Sequence, residues 1–293
     1  MPGVATGVDE VFLPIGDNCA RYRTPYVTYG LIAANVLVHG YQLSLDEGPR
    51  FEFVWNYSSL SGSLSLIRSV TSGFLHADIV HLAGNMWFLF LFGSSVEGKL
   101  GHLWMGVTYL ACLLVSDFAQ HFLSPSAYEL ALGASGAVGG VIGAYWFLFS
   151  RCEVEFFYWL GWWWHGRVWL GVHWAVVWLF GWDALWWVLA LKYGADTGVA
   201  HSAHLGGLIC GFLCGLLIRK YSYVKLDGDD MLTRFTVWRL TGGKGPRRMP
   251  AQQARQAPGP HTAPRPSEAP AAPDPAAPPV KRSKHGVTEL PFE

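Results

Sequence analysis

Four polar side chains set in apolar sequence have the types to do chemistry together: Ser135, His204, His81 and Asn85. Ser135 stands in Gly133-Ala134-Ser135-Gly136 and opens an apolar run, Ala137 to Phe149. His204 lies in a second apolar run, Val199 to Ile218. A serine hydroxyl is a poor nucleophile until a base takes its proton, and histidine is the usual base. Acyl transfer also needs donors aimed at the oxyanion that develops. His81 and Asn85 are four residues apart, so on a helix they share a face and offer two side-chain donors. The backbone N–H of Ser135, at a helix start, is a third. Asp117 and Asp183 lie in or near apolar runs, but nothing in the sequence puts either beside His204. The pattern predicts a Ser135–His204 dyad rather than a triad, with an oxyanion hole of His81, Asn85 and the Ser135 N–H. It implies no metal and no cofactor.

Each of these residues has a plainer reading when taken alone. Serine is a common small residue in packed membrane helices, and a lone buried histidine is usually structural. Depth separates the two readings. At about 1.5 Å per residue, Ser135 lies roughly 24 Å from Arg151, and His204 roughly 22 Å from Arg219. From Lys99, on a span running the other way, Asn85 lies roughly 21 Å and His81 roughly 27 Å away. The hydrocarbon core is about 30 Å thick, so all four fall in one layer near the far surface. Polar groups at such a depth are costly unless they line a cavity.

Those depths presuppose a membrane protein, and the composition supports one. Of 293 residues, 51% are hydrophobic, 15% aromatic and only 14% charged. A soluble domain carries about 25% charged residues. The formal net charge is zero, which suggests no nucleic-acid partner. Fifteen tryptophans suit the aromatic belts at membrane interfaces. Residues 1–24 lack an apolar core segment, so the first span is expected to target the chain. The five cysteines show no paired spacing, which argues against disulfides and zinc. Cys210 and Cys214, one helical turn apart, read as small packing residues.

Taken in order, the chain reads as four segments. Residues 1–24 are a polar, cytosolic lead. Residues 25–221 hold six spans: about Pro25 to Leu43, Ile79 to Val96, Leu103 to Leu123, the serine run, Val168 to Ala190, and the histidine run. The loop from Ser44 to about Phe74 carries Phe51, Phe53, Val54, Trp55, Leu64 and Ile67, and is expected to lie partly in the interface. Residues 152–167 read as an aromatic, amphipathic link. Residues 222–248 are a basic juxtamembrane segment, helical around Asp230 to Leu240 and attracted to anionic lipid. Residues 249–293 are a Pro/Ala-rich tail expected to be disordered. The fold class is thus an all-α membrane protein, a six-transmembrane-helix bundle with a membrane-associated first loop. Of 21 Lys and Arg, only Arg50, Arg68 and Lys192 fall on the side opposite the termini, so both termini are expected in the cytosol and the chain in the cell (inner or plasma) membrane.

These residues together resemble the rhomboid family of intramembrane serine proteases. The resemblance covers about residues 25–221. It rests on Gly133-Ala134-Ser135-Gly136, on Ala203-His204-Leu205-Gly206-Gly207, and on His76, His81 and Asn85 followed by Gly93, Glu97 and Gly101. It implies Ser135 as nucleophile, His204 as base, His81 and Asn85 in the oxyanion hole, and transmembrane proteins in lipid as substrates. It also implies that the base-bearing span packs on the serine-bearing one. Gly207, Gly211 and Gly215 against Gly136, Gly139, Gly140 and Gly143 suit that approach. The fifth span would be the lateral gate, with Trp174, Trp178 and Trp182 as its bulky packing; the alternative is that these rings only anchor the helix at the interfaces. Two positions depart from the family pattern: Ile67-Arg68 replaces a Trp-Arg in the first loop, and Gly139 stands where some members place an aromatic against the histidine. The alternative function is a non-catalytic relative that binds and routes membrane-protein clients; such relatives typically lack the serine or the histidine, and both are present here. A transporter would be expected to string polar residues across the membrane rather than gather them in one layer. A soluble esterase needs Gly-x-Ser-x-Gly after a strand, whereas here the last position is Ala137 on a membrane helix.

Overall fold

The computed structural model describes residues 10–19, 23–124, 130–160, 163–194, 198–221 and 230–240. The chain divides at Arg248, and the described residues all fall in the first unit, Met1–Arg248. The second, and with it the expected tail, lies outside the described residues, as do most of the lead and residues 222–229.

The first unit is mostly helical. Among the described residues, four helices are long and apolar enough to cross a membrane: Ile79–Leu100, His102–Leu123 (α6), Val172–Tyr193 (α8) and His201–Tyr221 (α9). Ile79–Leu100 comprises α4 (Ile79–Phe88), a wide π turn at Leu89–Gly93, and α5 (Ser94–Leu100). Ser135–Leu148 (α7) is apolar but shorter. The first helix, α1 (Tyr26–Ser44), buries Thr28, Asn35, His39 and Gln42, so its inward face is polar. The first loop folds into α2 (Glu47–Tyr57) and α3 (Leu66–Ser72). Asp117 of α6 accepts a hydrogen bond from Ser69 Oγ of α3 at 2.5 Å, tying that loop to the bundle.

The expectation of an all-α chain is incorrect. A three-stranded antiparallel sheet runs in the order β1 (Glu10–Asp17), β4 (Glu153–Leu160), β5 (His165–Gly171). It takes part of the expected polar lead, most of the expected amphipathic link, and the first residues of the expected fifth span. The cause is local. Glu153-Val154-Glu155-Phe156 alternates charge and bulk with a period of two, and Val154 and Phe156 are fully buried while their neighbours are not. Phe12 of β1 stacks on Phe156 at 4.7 Å. A shorter pair, β2 (Ser59–Leu60) with β3 (Leu130–Ala131), joins the first loop to the chain entering α7.

The expectation of no disulfide is also corrected: Cys19 and Cys152 are bonded. Pairing of β1 with β4 brings the end of one strand to the start of the other, across 133 residues that spacing rules cannot bridge.

Helix ends are satisfied by buried charges. Glu97, itself inaccessible, accepts from Val27 N at 2.8 Å, Thr28 N at 2.7 Å and Thr28 Oγ at 2.7 Å. The two backbone N–H groups are unpaired donors of the first turn of α1, where a carboxylate also suits the helix dipole. Lys99 Nζ donates to Leu148 O at the far end of α7 at 3.1 Å. A further helix, α10 (Met231–Leu240), lies where the sequence suggested helix around Asp230 to Leu240. Asp230 starts it, accepting from Thr233 N at 2.9 Å and pairing with Arg219 at 3.3 Å. Burial pushes the Asp230 carboxyl up, but the Thr233 and Arg219 contacts more than offset this and hold it below the usual range.

The seam that orders the bundle is α7 on α9. A methyl group on Gly207 would collide with the carbonyl oxygen of Gly136, one on Gly211 with that of Gly140, and one on Gly143 with that of Leu208. The two backbones touch because no side chain stands between them.

Candidate active site

Asp78 caps α4, accepting at Oδ1 from Val80 N and His81 N, both at 2.8 Å. The cap puts His81 in the first turn and Asn85 one turn later. Asn85 is buried, and its Nδ2 has no hydrogen-bond partner among the described residues. The His81 ring packs edge-on against His76 at 5.1 Å between ring centres. The His76 backbone is clamped by the Gln42 amide of α1: its N–H donates to Gln42 Oε1 at 3.2 Å, and its carbonyl accepts from Gln42 Nε2 at 3.2 Å.

Gly133 faces these side chains. Its φ of +120° is a left-handed conformation that favours glycine, and its N–H donates to Ser72 O at 2.9 Å. A β-carbon there would stand 2.9 Å from His81 Nε2, 2.7 Å from His81 Cε1 and 3.7 Å from Asn85 Nδ2. The backbone two residues before Ser135 therefore lies directly against the two donors. Ser135 is the first residue of α7 and is half-buried, so its N–H belongs to the set left without helical partners.

The glycine seam sets the turn that begins at Ser135 against the turn that carries His204. A β-carbon on Gly136 would lie 3.5 Å from Ala203 O, and one on Gly139 would lie 3.1 Å from His204 O. The first turns of α7 and α9 thus run side by side. The structure brings Ser135, His204, His81 and Asn85 to one end of the bundle.

The neighbourhood of His204 differs from expectation. Asp183 of α8 lies beside it, its Oδ1 at 3.1 Å from His204 Nδ1 and 2.6 Å from His201 Nδ1. The inference that no acid stands next to the histidine is therefore incorrect. The clue was there: a carboxylate inside a tryptophan-rich apolar span is costly without a partner. The gap at Gly139 is also filled from α8: Phe180 Cε1 would lie 3.3 Å from a β-carbon on Gly139. Phe180 and Asp183 are one turn apart; Phe180 meets α7 at Gly139, and Asp183 meets α9 at His201 and His204.

The α8 tryptophans behave otherwise. Trp174, Trp178 and Trp182 are 71%, 44% and 56% exposed, and they line an outward groove of about 530 Å³ with Val177, Gly181 and Leu185. Trp178 leans edge-on against Phe12 of β1 at 4.9 Å. The face of α8 turned to the bundle is Val172, Ala175, Val176 and Phe180.

Among the described residues, two clusters have donor types that could hold a metal. Cys112, Cys210 and Cys214 bring three sulfurs within 4.8 Å of one another, as do the donor atoms of Asp183, His201 and His204. Three thiolates between apolar helices would carry charge without a counter-ion, so the cysteines are read as packed thiols. In the second cluster the short nitrogen–oxygen distances are those of hydrogen bonds.

The Rhomboid domain family matches residues 63–221, more than half of the chain. Rhomboid protein 1, mitochondrial, of Saccharomyces cerevisiae is 30% identical over 205 residues, 66% of this chain and 54% of that protein. RHOMBOID-like protein 6, mitochondrial, of Arabidopsis thaliana is 37% identical over 79 residues, 26% of this chain and 24% of that protein. Presenilin-associated rhomboid-like protein, mitochondrial, of Homo sapiens is 32% identical over 120 residues, 39% of this chain and 31% of that protein. The chain spans about half the length of the yeast protein and less of the other two. With this match over the bundle that carries Ser135 and His204, the chain belongs to the rhomboid family.

Proposed function

We propose that the chain is an intramembrane serine endopeptidase that cleaves transmembrane helices of other membrane proteins. The observation that carries this reading is the buried, unpartnered Nδ2 of Asn85 beside His81, both against the backbone that leads into Ser135. A buried donor without a partner is costly unless something else accepts from it. An oxyanion formed at Ser135 would be such an acceptor.

In this reading the Ser135 hydroxyl attacks the scissile carbonyl carbon and His204 takes its proton. Asn85, His81 and the Ser135 N–H donate to the oxyanion. His204 then protonates the leaving amine. Water, activated by the same histidine, hydrolyses the acyl-enzyme and regenerates Ser135. Residues 25–221 make the catalytic unit with six spans: the four long helices, the shorter α7, and α1. Residues 222–248 and 249–293 are the juxtamembrane segment and tail that follow it. The chain is an integral, multi-pass membrane protein. The three relatives' names weigh against a plasma membrane. An inner membrane, bacterial or mitochondrial, accommodates both their names and the Lys and Arg bias.

The test is labelling of the full chain in detergent with a serine-directed fluorophosphonate, beside cleavage of a single-span substrate. Labelling that is lost in Ser135→Ala supports the reading. Parent protein that neither labels nor cleaves would favour a client-binding relative.

A further inference from the structure

We propose that Asp183 is a positioning residue for His204, and that because it rides on α8, His204 is held in its working orientation only while α8 is packed against α9. This rests on the reading of Ser135 and His204 as the reacting pair. A histidine that serves as base must keep one ring nitrogen toward the serine and its proton on the other. A carboxylate at Nδ1 fixes both the tautomer and the ring plane. The Asp183 carboxylate stands there, 3.1 Å from His204 Nδ1.

Three observations support the role. Asp183 is a half-buried carboxylate in a helix otherwise rich in tryptophan, and its cost in that setting is offset by the two histidines that face it. Both contacts run from α8 to α9, so they bind the helix that closes the site to the helix that carries the base. Phe180, one turn before Asp183, occupies the space left by Gly139 beside the His204 backbone. The same face of α8 thus contributes a carboxylate to the imidazole and a ring to the backbone that bears it.

His201 sets the competing account. It lies closer to the carboxylate, at 2.6 Å, so Asp183 could serve only to tie the helices through His201. The experiment separates the two. Full-length protein is assayed for cleavage of a single-span substrate and for its labelling rate by a small fluorophosphonate, which needs no lateral entry. Asp183→Asn keeps the side-chain shape and removes the charge. It should lower kcat and the labelling rate together by about 10²-fold, the low end of what general base catalysis contributes, with KM within about twofold and the melting temperature near the parent's. Asp183→Glu should recover part of the loss, and His201→Ala should keep both rates within about twofold of the parent's, the scale of a residue outside the chemistry. Parent-like labelling in Asp183→Asn overturns the proposal, and so does a His201→Ala loss equal to that of Asp183→Asn. Turnover surviving in Ser135→Ala would instead overturn the serine reading on which the proposal stands.

Discussion

Gly211 rests its α-carbon against the carbonyl oxygen of Gly140, with no room for a methyl group between them. This contact lies one turn beyond the first turns of α7 and α9 and sets the spacing between the helices that carry Ser135 and His204. Gly211→Ala should force the two backbones apart. A destabilisation of about 1–3 kcal/mol is expected, the usual scale of overpacking, together with loss of labelling at Ser135. Gly106, on α6, has nothing within 4 Å of where its β-carbon would stand, so Gly106→Ala is the control and should be tolerated. Unfolding titrations in detergent read both; a Gly211→Ala protein as stable and reactive as the parent would remove the seam from the account.

Ser135 and His204 should act as one unit. Losses within such a unit are non-additive. Ser135→Ala and His204→Ala should each abolish cleavage of a single-span substrate, and the double variant should be no worse than either. Cleavage is read on gels with reconstituted protein. Substantial turnover by Ser135→Ala would end the proposed mechanism.

Much of this arrangement was legible in the sequence because helix geometry is regular. Counting residues from Arg151, Arg219 and Lys99 puts Ser135, His204 and Asn85 in one layer, and the glycines repeating along α7 and α9 point to a close seam. What was not legible depends on contacts between distant segments. Asp183 faces His204 only because α8 crosses α9 at that height, which no local pattern encodes. Cys19 meets Cys152 only through pairing of β1 with β4. The strands themselves carried a signal, alternation at Glu153 to Phe156, but the aromatic run that follows hides where strand ends and helix begins. The orientation of α8 was misleading for another reason. Its tryptophans dominate the sequence, while the bundle-facing positions are the smaller Ala175 and Val176 with Phe180.

Asn85 and His81 should matter most in the transition state. Their donors meet an acceptor only once the oxyanion forms, so removing one should lower kcat with little change in KM. Asn85→Ala should cost about 10²–10³ in rate, the range for one oxyanion donor. His81→Ala should cost a similar factor. Steady-state kinetics on a single-span substrate read the split, and unchanged kcat in both variants would return these residues to packing.

A helix in lipid hides its peptide bonds in its own hydrogen bonds, so an extended segment must be exposed beside the serine. If α8 is the moving wall, its resistance comes from the face it packs inward, where Phe180 sits against Gly139. Trp174 and Trp182 point outward, so truncating them should alter the lipid-facing surface and leave that resistance intact. Loosening α8 has two opposed effects, since it opens the path and also moves Asp183 from His204. The informative quantity is therefore the ratio of substrate cleavage to fluorophosphonate labelling. Both steps need an oriented His204, but only cleavage needs lateral entry. Phe180→Ala should raise that ratio about fivefold or more, the factor that corresponds to roughly 1 kcal/mol of lost packing. The double variant Trp174→Ala/Trp182→Ala should leave it within about twofold, as expected of surface positions. A ratio that rises in the tryptophan variant and stays level in Phe180→Ala would put the gate on the outer face of α8.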